Sequence, residues 1–150
     1  MKFNFCVDIG VGRAETWQAF EDLALLPEWQ SALVSVEHKT GVRGQPGSVA
    51  ELCFRENGRR VVVQQTITER RKPDFRAAIR ESAAAKALIV DTFDSLPGGG
   101  TRWSSWINVS FRGATRFVAL FAARTMRRHV EEDMQRFKLL VETRAAEADR

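Results

Sequence analysis

The chain has 150 residues, 44% hydrophobic and 28% charged, which suits one soluble domain with a substantial core and supplies no apolar run long enough to span a bilayer. The net charge of +4 and a pI near 9.6 admit an acidic partner, but acidic residues are interspersed through the basic ones, and nucleic acid is not expected as a partner. The amino terminus alternates apolar and polar residues instead of carrying the continuous apolar centre of a signal peptide, so a cytoplasmic location is expected.

Phe3, Phe5, Val7 and Ile9 recur at every second position, the signature of a strand with one buried face. Gly10 and Gly12 break it. Arg13 to Phe20 reads as a short helix, with Ala14, Trp17 and Phe20 at helical spacing. Asp22 caps a second short helix, Leu23 to Leu26, which Pro27 is expected to end. Strands then follow with turns between them: Leu33 to Lys39, Ser48 to Arg55, Arg59 to Arg70, Phe75 to Ser82, Leu88 to Leu96 and Arg102 to Phe111. Asn57-Gly58 is the strongest hairpin signal in the chain. Gly98-Gly99-Gly100 enters a strand and lacks the Lys-Ser/Thr of a phosphate loop, so it reads as a turn.

From Thr115 to about Ala146, apolar residues fall at Phe117, Leu120, Phe121, Met126, Val130, Met134, Phe137 and Val141. Most steps are three or four, so they mark one side of a long helix. Its last turns, from Thr143, are polar and expected to fray. Seven sequential strands joined by short turns, two short helices after the first strand and one closing helix make an α+β domain over residues 1–150 with an antiparallel meander.

No residue cluster announces a reaction. Cys6 and Cys53 are far apart and lack the spacing of a metal site; both read as small buried thiols in strands. Nothing points to a metal or a cofactor. His38 shares a strand face with Val34 and Val36 and is a candidate general base, or a solvated residue beside the Lys39-Thr40-Gly41 turn. His129 falls in the charged helix face. Asp91 and Asp94, three apart in one strand, point to opposite faces and cannot form a carboxylate pair. Ser104-Ser105 has no nucleophile elbow around it.

A pocket between sheet and helix is the leading reading. Trp103, Ser105, Ile107 and Val109 form the inner face of the last strand. Val63 and Gln65 share a face with Val61 and Ile67, and a buried Gln65 amide needs a hydrogen-bond partner, from a ligand or from neighbouring backbone. Phe117 and Phe121 line the same space or simply pack the core. Arg124, near them by spacing, can meet an acidic head group. The ligand-binding set expected is therefore Val63, Gln65, Trp103, Ser105, Ile107, Phe117, Phe121 and Arg124, with catalytic residues unassigned. The charged run Arg127 to Asp133 reads as a solvated helix face with i,i+4 pairs.

The order of elements resembles the START/Bet v 1-like helix-grip superfamily, and within it the bacterial polyketide cyclase/dehydrase-like branch. The matching pieces are Val11 to Phe20, the Asp22 to Trp29 segment with its Pro27-Glu28-Trp29, the turn Pro46-Gly47-Ser48, and Gly99-Gly100-Thr101-Arg102. The resemblance implies a seven-stranded antiparallel sheet wrapped around the long helix, and a cavity for an apolar or amphipathic ligand. It implies no particular reaction, since members include carriers, receptors and cyclases. The chain has no tyrosine, which removes one common polar lining group. Three readings follow: a binder or carrier of a small hydrophobic molecule such as a lipid, polyketide or aromatic metabolite; a cyclase or dehydratase using His38, Gln65 and Arg124; and an interaction module using the arginines from Arg112 to Arg128. A homodimer is compatible with each.

Overall fold

The computed structural model describes the backbone of residues 1–117 and 119–150, and all their side chains except those of Thr115 and Leu120. The elements are β1 (Lys2–Ile9), α1 (Arg13–Glu21), α2 (Leu26–Trp29), β2 (Leu33–Thr40), β3 (Val49–Glu56), β4 (Arg59–Arg71), β5 (Phe75–Glu81), β6 (Ala85–Ser95), β7 (Thr101–Phe111), a 3-10 turn (Gly113–Phe117) and α3 (Ala119–Ala148). The strands form one sheet in the order β1-β7-β6-β5-β4-β3-β2, antiparallel throughout. Five of the six neighbouring pairs are thus sequential hairpins, and the sixth joins β1 to the returning β7. The sheet wraps α3, the helix-grip arrangement that the resemblance implies.

Turn chemistry sets the hairpins. Asn57 and Gly58 both have positive φ, at 50° and 74°, as a two-residue primed turn between β3 and β4 requires. At the β6–β7 turn, a Cβ added to Gly100 would sit 2.8 Å from the backbone oxygen of Ile9, so only glycine lets β1 and β7 approach there.

The concave face is built by alternation. Phe3, Phe5, Val7 and Ile9 of β1 and Thr101, Trp103, Ser105, Ile107 and Val109 of β7 are all buried, as their period-two spacing predicts. Two boundaries differ from the reading above. Pro27 does not end the second helix; it sits in the first turn of α2, where its missing N–H would have no partner anyway. α3 begins at Ala119, after a separate 3-10 turn, and stays helical to Ala148. Cys53 is buried as expected, but Cys6 is exposed, because it alternates with the inward Phe5 and Val7 on β1.

α3 is held at its two sides by polar clamps. The Gly10 N–H donates to Glu142 Oε2 at 2.7 Å, and Lys138 Nζ donates to the same oxygen at 3.1 Å. The Ser31 N–H and hydroxyl both donate to Asp133 Oδ1 at 3.3 Å. Among the described residues, no helix is long and apolar enough to cross a membrane.

The core contact that seats the helix is Phe137. Its ring lies 5.0 Å from Trp103, 5.1 Å from Trp29 and 6.3 Å from Phe20, all edge-on. Phe93 completes the cluster against Phe20 at 4.9 Å and Trp17 at 5.5 Å. Phe137→Ala should cost about 3–5 kcal/mol of stability, read as a shift in urea denaturation. A loss below about 1 kcal/mol would show that the helix is not seated by this ring.

Candidate functional site: a cavity between sheet and helix

A cavity of about 140 Å³ lies between the concave face and α3. Its floor comes from alternate residues of three neighbouring strands: Arg76, Ala78 and Arg80 of β5, Ile89 and Asp91 of β6, and Trp103, Ser105 and Ile107 of β7. Gln65 of β4 and Phe54 of β3 extend the floor; Val130, Asp133 and Met134 of α3 form the roof. Phe20, Trp29 and Gln30 close one end. Cross-strand register explains the composition. Gln65 pairs with Arg80, Arg76 with Asp91 and Asp91 with Ser105, and directly opposed residues share a face.

The polar groups in this apolar frame form a partial network. Trp103 Nε1 donates to Asp91 Oδ1 at 2.9 Å, and the Ser105 hydroxyl bonds the same carboxyl. Arg80 donates from Nε to Gln65 Oε1 at 2.8 Å and from Nη1 to Gln30 Oε1 at 3.4 Å. Arg76 is only 9% exposed and its guanidinium carbon stands 4.3 Å over the Phe20 ring. Its Nε has no hydrogen-bond partner, and neither has Trp29 Nε1. Each buried donor left unmet costs about 1–3 kcal/mol.

Burial disfavours charge on three of these groups. It lowers the Arg76 guanidinium from its ordinary value, and it pulls Arg80, with its neighbour Arg76 acting the same way, down to about 10. It raises the Asp91 carboxyl, which Arg76 and the bonds from Trp103 and Ser105 pull back. Asp133, also raised by burial, is engaged by Ser31 and by Arg136 at 2.8 Å.

Gln65 and Arg76 also line a second, wider cleft of about 350 Å³, so they form the wall between the two spaces. This outer cleft is bordered by Glu21, Asp22, His38, Arg43 and Arg70. Glu21 is fixed there by Arg70 through two hydrogen bonds, at 2.6 and 2.7 Å, and by Trp17 Nε1 at 2.6 Å. His38 Nε2 lies 2.8 Å from the Gly41 carbonyl oxygen, to which it donates.

Of the residues that sequence reasoning placed in the pocket, Gln65, Trp103, Ser105 and Ile107 line the inner cavity together. Val63 packs against the core beside it without reaching the lining. Phe117 and Phe121 are 78% and 84% exposed and line no part of it, and Arg124 is exposed as well. The spacing explains this. The inward stripe of α3 runs Ala119, Ala123, Met126, Val130, Met134, Phe137 and Val141, and the five-residue step from Phe121 to Met126 takes Phe121 off it. The side chain of Leu120 lies outside the described residues. His38 borders the outer cleft and not the inner cavity; it shares a half-buried face with Val36, whereas Val34, inside the register shift between Leu33 and Ser35, is in solvent. Of the arginine run, Arg127 lies over Phe3 and Phe5 at 5.4 and 5.5 Å, and Arg128 pairs with Glu132 at 3.9 Å. Sequence reasoning missed Arg76 and Arg80. The signal available was the hairpin register, which puts Arg80 opposite Gln65 and hence on its face.

The sequence profile of the family described as polyketide cyclase / dehydrase and lipid transport matches residues 2–142. Among solved structures, the chain is similar to the Zhui aromatase/cyclase from Streptomyces sp. R1128, with a TM-score of 0.83, 12% identity and coverage of 97% of this chain and 95% of that one. A conserved protein from Geobacillus kaustophilus superposes with a TM-score of 0.79 at 10% identity, covering 95% and 96%. Ara h 8.0201 does so with a TM-score of 0.70 at 15% identity, covering 95% and 98%. At these identities the likeness shows the fold. No curated protein sequence matches the chain significantly.

The Asp91 carboxyl gives the site a pH signature. Its folded value stands above the ordinary 3.8, so the folded state holds this proton more tightly than the unfolded chain. Its contribution to stability is therefore present at low pH and is lost as pH rises through the window above 3.8. Asp91→Asn removes the titration. Urea denaturation should show wild type losing ground to this variant as pH rises above the ordinary 3.8. A difference that stays constant, or moves the other way, contradicts the assignment.

Proposed function

The chain belongs to the polyketide cyclase / dehydrase and lipid transport family, and on that premise we propose that it binds a small hydrophobic ligand in the cavity between sheet and α3. One observation carries this: the space is walled by aromatic and aliphatic side chains yet contains convergent, incompletely paired polar groups. A core packed only for stability fills such a space and pairs its donors. A recognition site leaves room and a few placed polar groups to fix orientation. A lipid, a polyketide or an aromatic metabolite all suit the family, and the inner volume favours a compact, ring-bearing group at the deep end.

Turnover is the second reading, and Asp91 is the observation that favours it. A carboxyl raised by burial on the cavity floor is a candidate proton donor. Of the three polar groups considered from sequence, only Gln65 joins it there. In this reading Asp91→Asn abolishes turnover while ligand binding persists.

Binding itself is checked with neutral apolar rings such as indole and toluene, followed by nuclear magnetic resonance of the tryptophan side chains. The Trp103 and Trp29 indole signals should shift saturably. Ala78→Leu, which adds bulk on the cavity floor, should weaken that response by about tenfold or more. Unshifted tryptophan signals in wild type, or an undiminished response in the variant, would sink the reading.

A further inference from the structure

The inner cavity leaves donors unmet. Its two buried orphans, Trp29 Nε1 and Arg76 Nε, are both N–H donors. The side-chain acceptors around them bond other donors. Asp91 receives Trp103 and Ser105; the Gln65 and Gln30 oxygens receive Arg80; Asp133 receives Ser31 and Arg136. The cavity lining holds two arginines, Arg76 and Arg80, and two carboxyls, Asp91 and Asp133. Neither Arg76 nor Arg80 forms an ion pair among the described residues, and their hydrogen-bond partners are neutral amides or none. Asp91 stands opposite Arg76 on the neighbouring strand but is bonded by Trp103 and Ser105, and Asp133 pairs with Arg136. Buried cations in folded proteins are ordinarily paired.

Size narrows the class. About 140 Å³ is close to the roughly 150 Å³ of a cavity known to hold benzene. Trp103 meets Phe20 and Trp29 edge to face around this end, while Phe20 and Trp29 stack on each other, an aromatic frame that accepts one more ring. Building on the ligand-binding reading above, we propose that the inner cavity is a site for a single-ring aromatic carboxylate, its ring among Phe20, Trp29 and Trp103 and its carboxylate on the Arg76 guanidinium. The planar fork of an arginine matches a carboxylate better than any other side chain does. Arg80, held by its bonds to Gln65 and Gln30, adds positive potential beside it. Arg76 also lines the outer cleft, so that cleft offers a route to its guanidinium.

The test is calorimetric titration of the full chain with benzoate, benzyl alcohol and benzamidine, which carry the same ring with an anionic, a neutral and a cationic group. Benzoate should bind about tenfold or more tightly than benzyl alcohol, and benzamidine should not bind. Arg76→Met should bring benzoate down to the level of benzyl alcohol. The wild-type ratio stands on its own if that variant does not fold. Equal affinity for benzoate and benzyl alcohol would overturn the carboxylate proposal and leave the apolar-ligand reading standing. Failure of all three to bind, together with unmoved tryptophan signals, would overturn both. Benzoate binding that survives Ala78→Leu unchanged would put it outside this cavity and also overturn the proposal.

Discussion

The architecture depends on one aromatic junction. Phe137 of α3 sits among Trp103 of β7, Trp29 of α2 and Phe20 of α1, and Phe93 of β6 backs that group. Five elements that the chain visits at different times meet there. The junction fixes how far the helix stands from the sheet. On one side of it the concave face is packed by Ile9, Val7 and Val141. On the other, the small Ala78 and the polar Gln65, Arg76 and Asp91 leave the space unfilled. The cavity is a consequence of where the large rings stop.

That unfilled space is polar in an unbalanced way. A fully satisfied buried network rigidifies a core, whereas a partly satisfied one destabilises it. Here the imbalance has a sign. Both unmet groups are donors, Trp29 Nε1 and Arg76 Nε, and Arg76 stands between the inner cavity and the outer cleft. A chain selected for stability alone is better served by an apolar residue at that position. Strain of this kind is commonly retained where a ligand relieves it.

Much of the fold was legible because strand alternation is a strong signal. β1 and β7 carry apolar or small residues at every inward position, and their burial follows the pattern. Asn57-Gly58 located its hairpin for a local reason, positive φ at both residues. The site was half legible. Gln65, Trp103, Ser105 and Ile107 were found because their strand faces were readable. Arg76 and Arg80 were not, for two reasons. Phe75, Ala77 and Ile79 look like the inward set of β5 by hydropathy, yet register with β4 turns the arginines inward. In a chain with 18 arginines, each also reads by default as solvent-facing. The helix stripe misled for a different reason. Phe117 and Phe121 are four apart and mimic its start, but small alanines at 119 and 123 hold the inward positions. Size, not hydropathy alone, decides how closely a helix approaches a sheet.

The most direct test of the account is a crystal structure of the protein grown with benzoate. The account predicts one ring in the inner cavity against Trp29 and Trp103, with a carboxylate oxygen at hydrogen-bond distance from Arg76 Nε. Density only for water in that space, with Arg76 still lacking an anionic partner at saturating benzoate, would contradict it.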